Sequence, residues 1–228
     1  MILLAFDTAT AATAVALDRG DGAVFETRHD PTSGERPGHA TRLLGLIEDA
    51  LAAAGVQPAE VRRVAVGTGP GSYTGLRIGV ATARALAQAH GVQLVGVSTL
   101  RTLAEAAAER AGRAARLAVL DARRGEAFAA AWRDGEELLA PAALSPPALL
   151  RAAAALPSPV LAIGEGTLRF RKDIGPAGAA IPPDDDPIHR VSAAPMCRLA
   201  RAAEPGEREA VLPEYLRLPD AEVARRRA

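Results

Sequence analysis

The first hundred residues alternate short apolar runs with turn signals and two longer stretches of helical spacing. Residues 2–6 form an apolar run that ends on Asp7, and Thr8-Ala9-Thr10 follows as a small hydroxyl-rich turn. Residues 13–17 predict a returning strand, Gly20-Asp21-Gly22 a turn, and residues 23–28 a third strand. After a polar loop over 32–38, apolar positions at Leu43, Leu44, Ile47, Ala50, Leu51 and Ala54 predict a helix over 39–54, stopped by Gly55. Residues 61–66 predict a buried strand, 67–75 a glycine-rich loop, 76–89 a helix closed by His90-Gly91, and 92–97 a further strand.

The second half repeats this order. Residues 117–121 again predict a strand ending on an acid, Asp121, and Ala122-Arg123-Arg124-Gly125 a turn. Residues 126–132 return as a strand, 147–155 predict a helix, and 160–163 a strand that enters Gly164-Glu165-Gly166. A chain that twice writes hairpin, helix, strand and glycine loop predicts a duplicated α/β fold with two lobes and mixed sheets. The boundary falls near Leu103, giving an N-terminal lobe over 1–103 and a C-terminal lobe with an extended tail over 104–228.

Composition narrows the function classes. Formal net charge is zero, so the basic excess of a protein that grips nucleic acid by itself is missing. The small clusters Arg123-Arg124 and Arg225-Arg226-Arg227 read as a surface pair and a basic tail. A single cysteine, Cys197, leaves no intrachain disulfide and no cysteine metal cage, and its apolar setting reads as a buried inert thiol. No basic leader precedes the first apolar run, and no stretch has the length of a membrane span, so the expectation is a cytoplasmic protein without a membrane role.

Two segments carry candidate chemistry. Glycines 67, 69, 71, 75 and 79 surround Pro70 and Ser72, and a predicted helix follows. Backbone amides and the positive helix end in such a loop suit a phosphate, with Gly69, Gly71 and Ser72 as candidate contacts. No Lys-Ser or Lys-Thr pair follows, so this is not a P-loop, and the spacing is wrong for a dinucleotide fingerprint. A tight strand-to-helix connection explains the same glycines equally well. Asp7 at a strand end, with Thr8 and Thr10, suits a hydrated magnesium ion beside phosphates, or simply the cap of a turn. The three aspartates 184–186 read as a solvated loop. His39 has Leu43 at the fourth following position, which leaves no paired metal ligand, and Ser72 with His39 does not make a nucleophile–base set.

These residues resemble the TsaB (YeaZ) family. The resemblance rests on residues 4–10, Gly38-His39-Ala40, residues 66–79, Gly96-Val97-Ser98-Thr99-Leu100, residues 121–126 and the closing Pro213-Glu214-Tyr215-Leu216-Arg217, in family order over nearly the whole chain. It implies an actin-like fold of the Hsp70 and sugar-kinase superfamily. It also implies a non-catalytic scaffold for the catalytic paralogue TsaD, working with the ATPase TsaE to form N6-threonylcarbamoyladenosine next to the tRNA anticodon. TsaD holds a metal with a His-x-x-x-His pair where this chain has Thr99 and Leu103. The resemblance further implies that the two helices of the N-terminal lobe pack on TsaD, or on a second copy when TsaD is absent, with Leu43, Leu46, Ile47, Leu76, Gly79, Ala83 and Ala87 as candidate contacts. Packing of the same residues in the chain's own core is the competing expectation. No cofactor is expected in the isolated chain; ATP or ADP and a divalent metal belong to the complex, and tRNA is met only through it. The rival readings are an active small-molecule kinase of the same superfamily and a metallopeptidase of the glycoprotease type.

Overall fold

A computed structural model describes residues 1–32 and 34–217. The basic run Arg225-Arg226-Arg227 lies outside the described residues. Two mixed sheets organise the chain. In the first, β1 (Ile2–Asp7), β2 (Thr13–Asp18) and β3 (Val24–His29) form an antiparallel meander, and β4 (Val61–Gly69) and β5 (Gln93–Ser98) add in parallel, in the order β3-β2-β1-β4-β5. The parallel additions need crossovers, which α1 (His39–Ala54) and α2 (Tyr73–His90) supply. Alternation along β1 sends Leu4 and Phe6 to one face, against α1 and α2, and Leu3 and Ala5 to the other.

That other face is covered from the far end of the chain. Helix α8 (Ala194–Ala202) lays Met196, Cys197 and Ala200 on Leu3, Ala5, Ala14 and Val95, so both faces of the first sheet are buried. Arg63 on β4 reaches across to it and donates to the Ala200 and Ala203 carbonyls at 2.5 and 3.0 Å. Burial pushes the Cys197 thiol up to about 12, which keeps it protonated and inert.

The second sheet repeats the pattern with one strand fewer. Strands β6 (Ala115–Arg123), β7 (Glu126–Arg133) and β8 (Glu136–Leu144) form the meander, and β9 (Val160–Ile163) pairs in parallel with β6. A single parallel bridge between Leu161 and Ala180 stands where the first sheet has its fifth strand. Helix α3 (Thr99–Ala106), followed by the short α4 (Ala108–Ala111), covers the face carrying Ala118, Leu120 and Trp132. The opposite face is covered by α5 (Pro146–Ala155) and α7 (Arg171–Ile174), with α6 (Glu165–Arg169) opening directly after β9. Helices α3 and α8 touch between the sheets, and Arg198 pairs there with Glu105 at 3.2 Å. Strands β1, β2, β3, β5, β7 and β9 and helix α1 match the predicted spans to within one residue at each end. Strand β4 instead runs on through Gly67 to Gly69, and α2 begins at Tyr73, so the glycine-rich loop shrinks to Pro70-Gly71-Ser72.

Candidate functional site

Asp7 ends β1 at the seam between the two halves and is 1% exposed. One carboxylate oxygen accepts from the Ala9 amide at 2.7 Å and the other from the Thr99 hydroxyl, at the start of α3, at 2.7 Å. Burial raises its pKa; the two hydrogen bonds oppose the shift. Both acceptor oxygens are therefore engaged with protein, and neither faces solvent where a hydrated cation would sit. Thr8 is equally buried and donates to the Gly75 carbonyl at 2.8 Å.

The glycines explain how this turn fits. A Cβ at Gly67 would lie 2.0 Å from the Asp7 carboxylate, at Gly71 2.3 Å from the Ala9 carbonyl, at Gly75 2.0 Å from the Thr8 carbonyl, and at Gly79 2.4 Å from the Thr8 hydroxyl. The row of glycines thus admits the residue 7–9 turn against β4 and α2. The Ser72 amide is already donated to the Ala9 carbonyl at 2.7 Å, and the Ser72 hydroxyl accepts from the Gly75 amide at 3.3 Å. Of the two readings of the loop, close packing within the chain accounts for its geometry. His39, the first residue of α1, is buried beside this turn, its Nδ1 2.8 Å from the Thr13 hydroxyl. Burial lowers its pKa, against a backbone hydrogen bond with Thr10 that opposes the shift, and it stands as a helix-terminus residue as its spacing predicts.

A cavity of about 400 Å³ lies between the halves. Thr10, Gly71 and Ser72 line it from the first half, so the structure brings these three predicted residues together and leaves Asp7 and Thr8 behind them. From the second half come residues not predicted as a site: Asp121, Arg123, Phe128 and Glu165. Asp121 accepts from the Arg123 amide at 2.9 Å and from Arg169 at 3.1 Å. Loss of solvent around the Glu165 carboxyl, then the Asp121 charge, raises the pKa of Glu165, and Arg123 opposes this. The signal was present in the second strand ending on an acid and the second glycine turn, but only folding sets them across from Thr10. Among the described residues no group of three histidine, cysteine or acidic side chains is placed to hold a metal ion. Two of the three aspartates 184–186 have basic partners: Asp184 pairs with Arg171, and Asp186 pairs with Arg110 and accepts from the Ile188 amide. No described helix is long and apolar enough to cross a membrane.

The family model described as TsaD: tRNA N6-adenosine threonylcarbamoyltransferase matches residues 31–164, more than half of the chain. The tRNA threonylcarbamoyladenosine biosynthesis protein TsaB of Escherichia coli (strain K12) is 39% identical over 136 residues, which are 60% of this chain and 57% of that protein. A crystal structure described as an uncharacterized protein with similarity to peptidase YeaZ from Pseudomonas aeruginosa is 30% identical, covers 95% of this chain and 99% of that one, and has a TM-score of 0.77. This chain belongs to the TsaB (YeaZ) family, within the wider group that the TsaD model describes. Its fold class is α/β with two mixed sheets, as the duplicated pattern predicts, and actin-like, as the resemblance implies. Ethanolamine utilization protein EutJ of Carboxydothermus hydrogenoformans shares the fold at 12% identity, with a TM-score of 0.52.

The helices that the TsaB resemblance singles out need a correction at residue level. Leu43, Ile47, Leu76, Gly79, Ala83 and Ala87 are buried, and all but the two nearest the glycine row, Leu76 and Gly79, belong to the cluster that packs α1 and α2 onto the first sheet. Leu46 is half-buried against the same cluster. These side chains are held by their own sheet, so they offer a partner little surface. The outward face of the TsaB-family helix pair carries other residues: Leu44 (56% exposed), Tyr73 (41%), Arg77, Ala81 and Ala85. Helical spacing gave the apolar stripe, and only the position of the sheet says which side of it is inside.

Proposed function

We propose that this chain is a non-catalytic scaffold subunit in the formation of N6-threonylcarbamoyladenosine in tRNA, and that it binds and activates TsaD. The observation that carries the reading is full-length similarity to a YeaZ-like structure, joined to identity with a TsaB named for this pathway. The buried and doubly bonded Asp7 supports it as well, because phosphotransfer needs an acid free to hold a metal ion. The docking face in this proposal is the outward side of α1 and α2, centred on Leu44 and Ala81. A second copy takes that face when TsaD is absent; TsaE, nucleotide and metal join only in the assembled complex, and the complex works in the cytoplasm. A complete modification assay with each subunit omitted, together with co-purification on TsaD, tests the reading. Full activity without this chain, or steady ATP turnover by the chain alone, overturns it; the latter result favours a kinase.

A further inference from the structure

The closing segment 211–217 crosses from one half of the molecule to the other over the mouth of the central cavity. Its first anchor is Val211, 8% exposed, which enters the core of the first half. Gly96 makes room for it, since a Cβ there would lie 3.2 Å from Val211 and 2.7 Å from Thr68. The Glu214 amide then donates to the Thr68 carbonyl at 2.7 Å, extending the end of β4 by one contact. Tyr215 lays its ring on Tyr73, at the start of α2, with centroids 5.0 Å apart and planes tilted by 32°. These are the only two tyrosines in the chain.

The next two residues bind the other half. Leu216 packs on the cluster under the second sheet. Arg217 donates to the Ala122 and Arg123 carbonyls at 3.0 and 3.4 Å and lies 3.5 Å from Glu126, so it grips the β6–β7 turn. That turn holds Arg123 and Arg124 at positive φ of 65° and 53°, a conformation that surrounding contacts must maintain. Glu214, Tyr215, Leu216 and Arg217 all line the cavity. The halves are also joined through α3 and α8 between the sheets, and by Arg28 and Glu26 of β3, which bind the Val191 carbonyl and the Ala193 amide at 3.2 and 2.8 Å.

We infer that residues 211–217 are a clamp that sets the opening of the central cleft, with the Tyr215–Tyr73 stack and the Arg217 grip as its two releasable ends. Tyr215 is 42% exposed and the Arg217 side chain 23%, so both anchors lie nearer solvent than Val211 and can part while Val211 and Leu216 stay on their clusters.

Hydrogen exchange on the full chain, read by mass spectrometry, tests it with a Tyr215→Ala, Arg217→Ala double variant. Amides on both sides of the cavity, at 69–73 and 122–125, are expected to exchange on the order of tenfold faster, while β1 and β6 keep their protection. Tyr215→Phe alone is expected to behave as the native chain, because the stack needs the ring and not the hydroxyl. Unchanged exchange at the cavity overturns the clamp. So does equal acceleration throughout both sheets, which would make the segment one more part of the folding core. A Phe variant as fast as an Ala variant at 215 overturns the stack as one of its ends.

Discussion

Ala83 and Ala81 are neighbours on α2 with opposite surroundings: Ala83 has no exposed surface beneath the helix, and Ala81 faces out. An arginine at 83 has to be desolvated among Leu43, Val80 and Val66 without an acid to meet it, at a cost of about 3–5 kcal/mol. Ala83→Arg is therefore expected to melt far below the native chain in calorimetry. Ala81→Arg is expected to melt normally and, on the proposed function, to lose TsaD in gel filtration. Asp7 gives a prediction in pH. Burial raises its pKa, so the folded chain keeps this proton after the unfolded chain has released it at about pH 4. Its contribution is present in full below that pH and is lost as pH rises through the folded value. Urea titrations over a pH series should show Asp7→Asn gaining on the native chain from about pH 4 upward; a pH-independent difference would show that Asp7 ionises as freely in the fold as outside it.

At the scale of elements, α8 is nine residues long and its last carbonyls are held by a charge from the opposite half of the chain. Arg63 is 7% exposed, and the Gln93 side-chain oxygen Oε1 accepts from its guanidinium on the other side at 2.9 and 2.8 Å. A cation at a helix C-terminus answers the exposed carbonyls and the helix dipole together. Arg63→Met keeps the apolar stem and removes the charge. A loss of about 1.5–3 kcal/mol is expected by thermal melting, with faster amide exchange confined at first to α8. Legibility differed among the elements for physical reasons. Helix α1 was readable because a 16-residue amphipathic stretch shows its period several times over. Strand β8 was not, since Glu136–Leu144 packs on an edge with two register shifts and its burial follows no simple alternation.

For the whole molecule, 27 basic and 27 acidic side chains cancel, and many are paired locally, as Asp18 is with Arg201 and Asp30 with Arg28. A surface so balanced releases few counterions from a phosphate backbone. The isolated chain is expected to leave tRNA free in a filter-binding assay at physiological salt. Retention that weakens steeply with added salt would show a basic track formed by the fold. The central cavity carries the same mixture of signs, with Asp121 and Glu165 beside Arg123.

Most strands of the two meanders, the helices α1, α2 and α5, the duplication, the family and the buried thiol were written in local pattern, because each depends on residues close in sequence. What the glycine row is for was not. The sequence left phosphate binding and tight packing level, and the close packing became visible only with the Thr8 and Ala9 carbonyls, which approach from some 65 positions away. The inside and outside of α1 and α2 were likewise undecided, since a wide apolar stripe exceeds what one sheet face covers. The covering of the first sheet by α8, the pairing of Tyr73 with Tyr215 and the placing of Thr10 and Glu165 around one cavity depend on how distant segments pack. Periodicity reports only what a residue's own helix or strand does with it; which surfaces remain, and what they meet, is fixed by the packing of the two halves.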